Sequence, residues 1–552
     1  IMVTRWRSDL RTQSGIHICV RDGQRVYTIG RAHSVDERYT AVFELHKATF
    51  EQACGDIDAK LEICVTPGIN GELRRLTLVN TSSESKEVEI GAFAEICLAT
   101  LRDDVSHPAF VKLSVDAAEE DGVLVFSKRM LGKSRRCVYF SLASPSNTRY
   151  ATDALSIIGR NGTPADAMMQ PMLQDQDLSQ PLEPYACART SLIVDKGSSV
   201  CVLLAIGFAE SFGRAVSDAK EMLKGEADTF ELAWSYAVSS HRMSGIDSAW
   251  CDIYESFAAR LFIDGASKKG VDTPTKLSIQ SLWRFGISGD IPIAVICVHR
   301  NARLKTVKSI ISVVNYFALK NIAADVVLIG EYPYEYNNEL RQKLTEMAAS
   351  FHSPYLHVIN AYDITNAERD MLISYASLIL DMRRSLNEQL HSASFVMYGP
   401  HSVKAPSRAA FALQKQALSF FNGYGGFDTA NDEYAIYLKP GESTPLPWCN
   451  IVANEHFGAV ITEGGGGYTW KGNSHENKLT QWKCDPSSDA PSELLLVRDR
   501  ETGDEWSVVP AKPYSQSECV TAHGYGYTRF TASSQELYQE LTVFVDLSLI
   551  HI

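Results

Sequence analysis

The sequence predicts a mixed, mainly β protein, in which two partial antiparallel β-sandwiches flank a helical linker and a small α/β module with a parallel sheet. Three observations predict this class. Short runs of alternating apolar and polar residues fill both ends of the chain, as in antiparallel strands with one solvated face. In the middle, near-continuous apolar runs alternate with helical periods, which is typical of a parallel sheet covered on both faces. Finally, one pattern occurs near both ends.

The repeated pattern links the start of the chain to its end. The first copy contains Thr4-Arg5-Trp6, Val20-Arg21-Asp22-Gly23 and Leu61–Val65, and the second contains Thr480-Gln481-Trp482, Val497-Arg498-Asp499-Arg500 and Leu541–Val545. A repeat of this length is one structural unit used twice. We therefore expect the back part of one sandwich at the start and the front part of a second at the end.

The first half of the chain divides into a β region and a helical region. The pattern of residues 1–208 predicts the back part of the first sandwich. It includes a long loop at 160–182, which is rich in Pro, Asp, Gln and Met. Residues 209–280 predict a helical linker, because Ala215, Ala219 and Met222 recur at helical spacing. Within this linker, residues 264–275 predict a loop.

The second half begins with the α/β module, predicted over residues 281–391. Its strands are predicted at 291–298, 325–329, 355–359 and 378–381, and its helices at 303–319, 335–350 and 363–376. Residues 392–552 predict the front part of the second sandwich, with tight turns at the glycine clusters 423–426 and 464–467. The last six residues, 547–552, do not continue the repeat and carry no prediction.

Composition excludes several classes of protein. A chain of 552 residues is long enough for three or four domains. Its net charge of −13 offers no basic surface for a nucleic acid. No apolar run is long enough to cross a bilayer, and no signal peptide opens the sequence. The twelve cysteines lie singly, mostly in strand-like runs such as those of Cys64, Cys97, Cys201 and Cys297, which predicts buried free thiols rather than disulfides or a zinc site.

Common catalytic motifs are incomplete. Gly132-Lys133-Ser134 lacks the earlier glycine of a phosphate loop, since Ser127 stands there, and Gly286–Gly289 is one residue short of a nucleophile elbow. The α/β module has no dinucleotide-binding glycine motif, and the sequence has no His-Glu-x-x-His. Acidic candidates exist, but their expected places are the surface or helix starts. They are Asp103-Asp104, Asp290, Glu331 and Glu476.

The second β region is rich in aromatic residues interspersed with Asn and Glu. The aromatic residues are Tyr424, Phe427, Tyr434, Tyr437, Trp448, Phe457, Tyr468, Trp470 and Trp482. Aromatic rings with a polar rim suit a sugar, although packing inside a sandwich core explains most such rings equally well. Tyr468 and Trp470 differ, because they follow four glycines and precede the polar loop Lys471–Lys478, where a core aromatic is less expected.

Four of these stretches resemble the amino-terminal β-sandwich of glycoside hydrolase family 94, formerly glycosyltransferase family 36. They are Asn422–Phe427, Pro447–Asn454, Gly465–Ser474 and Glu476–Thr480. His107–Leu113 resembles a later part of the same sandwich, and Leu282–Ile293 resembles the segment that joins two sandwiches in long members. The resemblance covers nearly the whole chain. It is closest to the carboxyl-terminal part of cyclic β-1,2-glucan synthase, followed by 1,2-β-oligoglucan phosphorylase.

The resemblance implies inverting phosphorolysis, in which one Asp in an (α/α)6 barrel protonates the glycosidic oxygen while inorganic phosphate attacks the sugar. One protein carboxylate suffices because phosphate replaces the activated water of an inverting hydrolase. The barrel follows the sandwich in that family, so we expect the catalytic residue outside this chain and assign none. The implied co-substrate is inorganic phosphate, with no cofactor or metal. Tyr468, Trp470, Asn473 and Glu476 are the predicted glucan contacts.

Three interpretations remain open. The favoured one is a carbohydrate-contacting scaffold of a β-1,2-glucan-acting enzyme, or of a 1,2-β-oligoglucan phosphorylase, with the barrel and a second copy of the chain as partners. Its expected location is the cytoplasm, or the cytoplasmic face of the inner membrane within a full-length synthase. The others are a transferase with its site in the α/β module and a free-standing sugar-binding module. The two partial sandwiches either close on each other or exchange between neighbouring chains.

Overall fold

The computed structural model describes most of the chain. The described residues are 1–5, 15–31, 38–129, 135–171, 177–262, 277–299, 301–331, 339–391, 417–480, 489, 491–511, 517–534 and 536–546. Contacts divide the chain into two compact units, one made of Ile1–Ala233 with Tyr398–Ile552 and the other of Trp234–Met397. The predicted loop at 264–275, the final residues 547–552 and both tryptophans of the repeat, Trp6 and Trp482, lie outside the described residues.

The first unit begins with antiparallel strands. They are β1 (Met2–Thr4), β2 (Ile16–Asp22), β3 (Arg25–Thr28), β4 (Tyr39–Phe43), β5 (Lys47–Cys54), β6 (Ile57–Val65), β7 (Gly71–Asn80), β8 (Lys86–Ala99), β9 (Val115–Glu120), β10 (Val123–Arg129), β11 (Arg135–Ala143), β12 (Arg149–Asp153), β13 (Pro184–Val194) and β14 (Ser199–Ala209). In the described residues they form a sheet of order β12-β13-β8-β2-β3, with β1 also on β8, and a second sheet of order β4-β5-β6-β7-β14-β11-β10-β9.

The apolar core of this region lies between the two sheets. Val88 and Ile90 of β8 are fully buried opposite Leu76 and Leu78 of β7, because alternate residues of each strand face inward. The predicted antiparallel sandwich is therefore confirmed. The prediction of buried thiols holds for Cys64, Cys97 and Cys297, which are buried and free. It was wrong for Cys201, which lies on the outer face of β14 and is exposed.

Short helices interrupt these strands. They are α1 (Leu101–Ser106), α2 (Pro108–Lys112), α3 (Ala154–Ile157) and α4 (Pro164–Met169). The prediction of a continuous loop at 160–182 was wrong at α4. Thr163 and Asp166 form a capping box around Pro164 in the first turn, and these three residues together stabilise a helix start within a polar stretch.

After β14 the period changes, as predicted, to that of helices. They are α5 (Phe212–Lys224), α6 (Glu226–Met243) and α7 (Cys251–Phe262). The buried side chains of α5, Ala215, Ala219 and Met222, pack on the outer face of the longer sheet around Leu73 and Tyr139. None of the described helices is both long and apolar enough to cross a membrane.

The rest of the first unit is again β. Its strands are β19 (Gly425–Asp428), β20 (Glu433–Leu438), β21 (Cys449–Ala453), β22 (Phe457–Thr462), β23 (Gly467–Lys471), β24 (Leu496–Arg498), β25 (Glu505–Ser507), β26 (Cys519–Gly524), β27 (Tyr527–Ser534) and β28 (Leu537–Phe544). In the described residues, they form the sheets β19-β20-β26-β27-β28, β21-β22-β23 and β24-β25. These strands enclose a separate core around Val452, Ile461 and Phe530. No sheet in the described part of the chain mixes strands from the two regions.

The sequence repeat appears directly in the strand pairing. The meander β4-β5-β6 and the meander β26-β27-β28 share one register: Phe50 pairs with Leu61 in the first, and Phe530 pairs with Leu541 in the second. Ala41 lies opposite Phe50, and Thr521 lies opposite Phe530. We call residues 39–65 the first meander and residues 519–545 the second.

The second unit contains the parallel sheet. Its strands are β15 (Ile293–His299), β16 (Asp325–Glu331), β17 (Leu356–Asn360) and β18 (Leu378–Asp381), and its further helices are α8 (Leu304–Ile311), α9 (Val313–Leu319), α10 (Glu339–Ala349), α11 (Asn366–Tyr375) and α12 (Leu386–His391). The strand order is β17-β16-β15-β18, and all pairs are parallel. The continuous apolar strands of the sequence produced this prediction, and the parallel sheet confirms it.

Candidate functional site

The glycine run before Tyr468 forms a tight turn that leads into β23. Gly465 and Gly467 have φ values of 79° and 125°, which side-chain-bearing residues rarely adopt. A Cβ on Gly466 would lie 2.1 Å from the Asp489 carboxylate, and one on Gly467 would lie 1.8 Å from a backbone oxygen of β22. The run is glycine because the backbone turns closely around Asp489. The glycines are therefore explained by the path of the backbone in this turn.

Two of the predicted glucan contacts, Tyr468 and Trp470, lie on strand β23 rather than in the polar loop. They share one face of the strand, and their ring centroids are 5.5 Å apart. Trp470 pairs with Gly458 of β22, and a Cβ on Gly458 would lie 2.2 Å from the indole, so the ring packs across the missing side chain. Both rings are half-buried. The cation of Lys478 lies 4.9 Å from the Tyr468 ring.

The other two predicted contacts, Asn473 and Glu476, are exposed in the loop after β23. Asn473 Oδ1 accepts hydrogen bonds from the backbone N–H groups of His475, at 2.8 Å, and Glu476, at 2.9 Å. This side chain therefore shapes the loop. Glu476 Oε1 lies 2.7 Å from His475 Nδ1, and this hydrogen bond raises the pKa of His475. The Glu476 carboxylate itself is exposed to solvent.

His475 connects this loop to the α1–α2 turn. Its Nε2 lies 3.3 Å from the backbone oxygen of Ser106, and its ring stacks on His107, with centroids 6.0 Å apart and ring planes 25° apart. The His107 ring in turn meets the edge of Phe110 at 5.9 Å. The glycine-rich loop and the His107-Pro108-Ala109-Phe110 string, distant in sequence, therefore meet in space.

A surface pocket of about 250 Å³ opens beside this junction. Its lining residues are Leu98, Ala99, Asp103, His107, Phe110, Val111, Lys128 and Arg136. Phe110 is 70% exposed, a large fraction for an aromatic ring that no core requires. Lys128 donates a hydrogen bond to the Val111 oxygen, and burial lowers the pKa of its ammonium group. Apolar surface with a few convergent polar groups is the usual make-up of a small-molecule site.

A buried ion cluster holds the pocket wall in place. Arg5, which follows β1 and is 2% exposed, donates from Nε to both Asp104 carboxylate oxygens, at 2.9 and 3.1 Å, and it also pairs with Glu95. The Thr100 hydroxyl accepts from the Asp103 N–H and caps α1. Asp104 is thus committed to structure. Asp103, its neighbour in the sequence, lines the pocket.

A second buried cluster joins the two β regions of this unit. Arg160, before α4, donates to Asp489 at 2.7 Å and to Glu463 and Thr444, and all four side chains are at least 90% buried. The Trp448 N–H donates to the second Glu463 carboxylate oxygen, and the Thr462 hydroxyl donates to the same Asp489 oxygen as Arg160. This contact is ionic, so the two partial sandwiches meet through polar groups while each keeps its own apolar core.

Of the other aromatic residues, four form one chain of ring contacts in the order Tyr424, Trp448, Tyr434 and Phe427. None of these four rings is fully buried, and Phe427 is 53% exposed, so they pack on one another near the surface rather than inside the core. Sequence reasoning assigned no role to His107, Phe110, Lys128, Arg136 or His475. The only available signal was the His107–Leu113 string. In the described part of the chain, no three His, Cys, Asp or Glu side chains are placed to hold a metal ion.

Comparison with known proteins identifies the family of this chain and several relatives. The glycosyl hydrolase 94 supersandwich domain matches residues 1–225 and 432–549, more than half of the chain. The cyclic β-(1,2)-glucan synthase NdvB of Rhizobium meliloti (strain 1021) is 28% identical over 97% of this chain. The N,N'-diacetylchitobiose phosphorylase of Vibrio proteolyticus is 31% identical over 22% of it.

The chain spans 20% of the glucan synthase and 15% of the chitobiose phosphorylase. Among solved structures, a bacterial glucoamylase complexed with acarbose is similar over 40% of this chain and 30% of its own, with a TM-score of 0.27 and 11% identity. Residues 226–431, which include the α/β module, lie outside both ranges that the family model matches.

Proposed function

Because the chain belongs to the glycosyl hydrolase 94 family through its supersandwich domain, we propose that it is the carbohydrate-contacting and scaffolding region of an enzyme that acts on β-1,2-glucan. The junction of the glycine-rich loop with the α1–α2 turn carries this proposal. Stacked imidazoles, an exposed phenyl ring and a pocket of about 250 Å³ coincide there. The glucan linkage is inferred from the relative that aligns with nearly the whole chain, a cyclic β-(1,2)-glucan synthase.

The chemistry of the pocket suits a glucose unit. Phe110 offers a flat apolar face for the C–H side of a pyranose ring, and Asp103, His107 and Arg136 offer acceptors and donors for hydroxyls. Lys128 at the pocket wall strengthens a bond to a hydroxyl oxygen, since it lies in a partly desolvated place. Tyr468, Trp470, Asn473 and Glu476 belong to the hairpin that ends at this pocket, and we propose them as the surrounding contacts.

The scaffolding part of the proposal concerns the exposed apolar residues around α1 and α2. Val105 is 73% exposed and Leu113 is 57% exposed, on either side of Phe110. An apolar rim of this kind suits a neighbouring domain. We propose the (α/α)6 barrel of the parent enzyme as that neighbour, with the catalytic Asp supplied by the barrel.

A binding experiment tests the sugar contact. β-1,2-Linked glucose oligomers are titrated into the purified chain, and we expect Phe110→Ala and Trp470→Ala each to weaken binding about tenfold, the equivalent of one lost aromatic stack. Phe43→Ala is the matched control, because Phe43 is 76% exposed but lies on the edge strand β4 and lines no part of the pocket. Unchanged affinity in both the Phe110 and the Trp470 variant would remove the support for this site.

The phosphorylase relatives favour one alternative, a region of a 1,2-β-oligoglucan phosphorylase that transfers glucosyl to inorganic phosphate. Phosphate release from glucose 1-phosphate with a β-glucoside acceptor is the reverse of phosphorolysis. It is expected of a parent phosphorylase and not of a parent that takes its glucosyl group from another donor. The same assay on this chain alone is expected to give no turnover. Activity of the isolated chain would contradict the scaffolding role.

A further inference from the structure

The parallel sheet of the second unit has a topological switch point at its centre. The chain runs from β15 to β16 to β17 on one side, and β18 then pairs with the other edge of β15. In open α/β sheets, connections on the two sides of such a point leave in opposite directions. A crevice therefore forms outside the carboxyl ends of the central strands, and small molecules bind there in many such folds.

Every strand of this sheet ends in a polar side chain at that edge. The four terminal residues are His299, Glu331, Asn360 and Asp381. The strands are otherwise almost wholly apolar and buried, as Val295, Val327 and Leu380 are. Polar groups cost free energy at the end of a packed sheet unless they are paired or used. Because these polar side chains converge on one edge of the sheet, this edge is a candidate ligand site.

The side chains at this edge form a row of alternating donors and acceptors. The ring of His299 lies at its centre, with Nδ1 2.7 Å from a Glu331 oxygen and Nε2 3.0 Å from an Asp381 oxygen. Arg369 extends the row beyond Glu331 at 3.1 Å, and Arg383 extends it beyond Asp381 at 2.7 Å. Each guanidinium group of the row is paired with a carboxylate, Arg369 with Glu331 and Arg383 with Asp381. The row therefore offers no unpaired guanidinium group to an anionic ligand.

One aromatic ring completes the edge. Tyr362 follows β17 by two residues, its backbone N–H donates to Asn360 Oδ1 at 3.2 Å, and its side chain is 57% exposed. Arg369 and Arg383 lie on the solvent side of the row, 39% and 65% exposed, while the His299 side chain is only 13% exposed. The edge thus combines the mostly buried His299 side chain, the exposed guanidinium donors of Arg369 and Arg383, and the exposed ring of Tyr362.

We propose that this edge binds a neutral sugar, one or two glucose units long, at a site separate from the pocket of the first unit. Each sugar hydroxyl donates one hydrogen bond and accepts others, so a row that alternates carboxylate and guanidinium matches a pair of neighbouring hydroxyls. Tyr362 covers the apolar face of the ring. Both guanidinium groups of the row are already paired with carboxylates, and this arrangement favours a neutral polyol over a phosphate.

The opposite edge of the same sheet supplies matched controls. His357 Nε2 lies 2.9 Å from Asp325 Oδ1 at the start of β16, which is the same pair chemistry as His299 with Asp381. Tyr355, immediately before β17, is 40% exposed and mirrors Tyr362 after β17. Residue type is therefore the same in the site variants and the controls, and the two tyrosines flank the same strand, β17.

The test is ligand-observed NMR titration of the full chain with D-glucose, with its β-1,2-linked disaccharide and with inorganic phosphate. We expect Tyr362→Ala and His299→Gln each to weaken sugar binding about tenfold, as for one lost stack or one lost buried hydrogen-bonding group. Tyr355→Ala and His357→Gln are expected to bind like the unmodified chain. Thermal unfolding of all four variants establishes that the module stays folded.

Three results would overturn the proposal. They are sugar binding that survives both site variants, equal losses at the two edges, and a response to phosphate alone. If Tyr362→Ala removes sugar binding while Phe110→Ala and Trp470→Ala leave β-1,2-glucan binding unchanged, the edge site stands and the proposed function of the first unit fails. The two claims can therefore be separated.

Discussion

The two meanders have the same strand pairing but opposite burial. In the first meander, Val42 and Phe43 on β4 are 47% and 76% exposed. The equivalent strand of the second meander, β26, is largely buried, with Ala522 only 4% exposed. The difference follows from the neighbours. Strand β26 pairs with β20 on its other side, whereas the other side of β4 has no partner among the described residues.

The third strands differ in the reverse direction. Strand β6 pairs with β7 and is mostly buried, while the equivalent strand β28 has no second neighbour in the described residues and is alternately exposed. The comparison separates two levels of structure. Register within a meander depends on local turns and side-chain alternation, but burial depends on which strands lie alongside. Four substitutions test this separation, from the largest expected effect to the smallest.

The largest effect is expected from Arg160→Met, which breaks the contact between the two β regions. It leaves the Glu463 and Asp489 carboxylates buried without their cation, and such a loss costs about 3–5 kcal/mol. Urea unfolding measures the change. Arg498→Ala, which removes an exposed pair at 3.5 Å in the β24–β25 hairpin, is the control with little expected effect. Equal losses in both variants would show that the cluster does not hold the regions together.

The next effect compares equivalent positions on the first strands. His523 of β26 is hydrogen-bonded to Thr528 at 3.0 Å and to the Trp448 oxygen at 3.1 Å, and burial lowers its pKa. We expect His523→Lys to cost about 2–3 kcal/mol, because it desolvates a cation beside a carboxylate, Glu463, that is already paired with Arg160. Phe43→Lys, at the same place in the first meander, is expected to change stability by less than about 0.5 kcal/mol. Similar losses at both positions would contradict the role assigned to the neighbouring strand.

A smaller difference is expected at the paired phenylalanines. Phe530 is 1% exposed in the second core, whereas Phe50 is only partly buried at the rim of the first. Phe530→Leu removes buried carbon and is expected to cost about 2 kcal/mol, with less than about 1 kcal/mol for Phe50→Leu. Calorimetric unfolding of the two variants gives the comparison directly. A larger loss at Phe50 would reverse the inferred order of burial.

The smallest effect depends on pH. Burial, aided by Arg74 and Arg31, lowers the pKa of His17 from 6.5 to about 4, and its Nε2 has no hydrogen-bond partner. The unfolded chain therefore takes up this proton before the folded chain does, so stability falls as pH drops from about 6.5 towards 4, by roughly 1–2 kcal/mol at pH 5.5. The repeat places Leu494 at the equivalent position. His17→Leu should remove this dependence, and an unchanged slope of melting temperature against pH would exclude His17 as its source.

Much of the fold could be predicted from the sequence. Residue identity alone revealed the repeat, through matches such as Leu61–Val65 with Leu541–Val545, and the apolar runs before His299 and Glu331 indicated buried parallel strands. Such signals are local, because strand periodicity and turn chemistry act over a few residues. Helix α4 was missed although its signal was local too, since Thr163, Pro164 and Asp166 lie in a stretch whose composition suggested a loop.

The candidate sites were less predictable. Tyr468, Trp470, Asn473 and Glu476 were selected from a motif, and the structure adds that Trp470 packs over Gly458 and that Asn473 shapes its own loop. The partners of this hairpin were not predictable, because His475 meets His107 across more than 350 residues of chain. A contact of that length leaves no periodic trace in a single sequence.

The sequence alone determined the class of each segment, the repeated meander and the family resemblance, because these depend on side-chain alternation and short motifs. Only the tertiary structure decided which surfaces face water, which acids are neutralised by Arg5 and Arg160, and that polar strand ends gather around His299. The reason is physical: burial and charge pairing are properties of neighbours in space, and those neighbours are brought together by the packing of the whole chain.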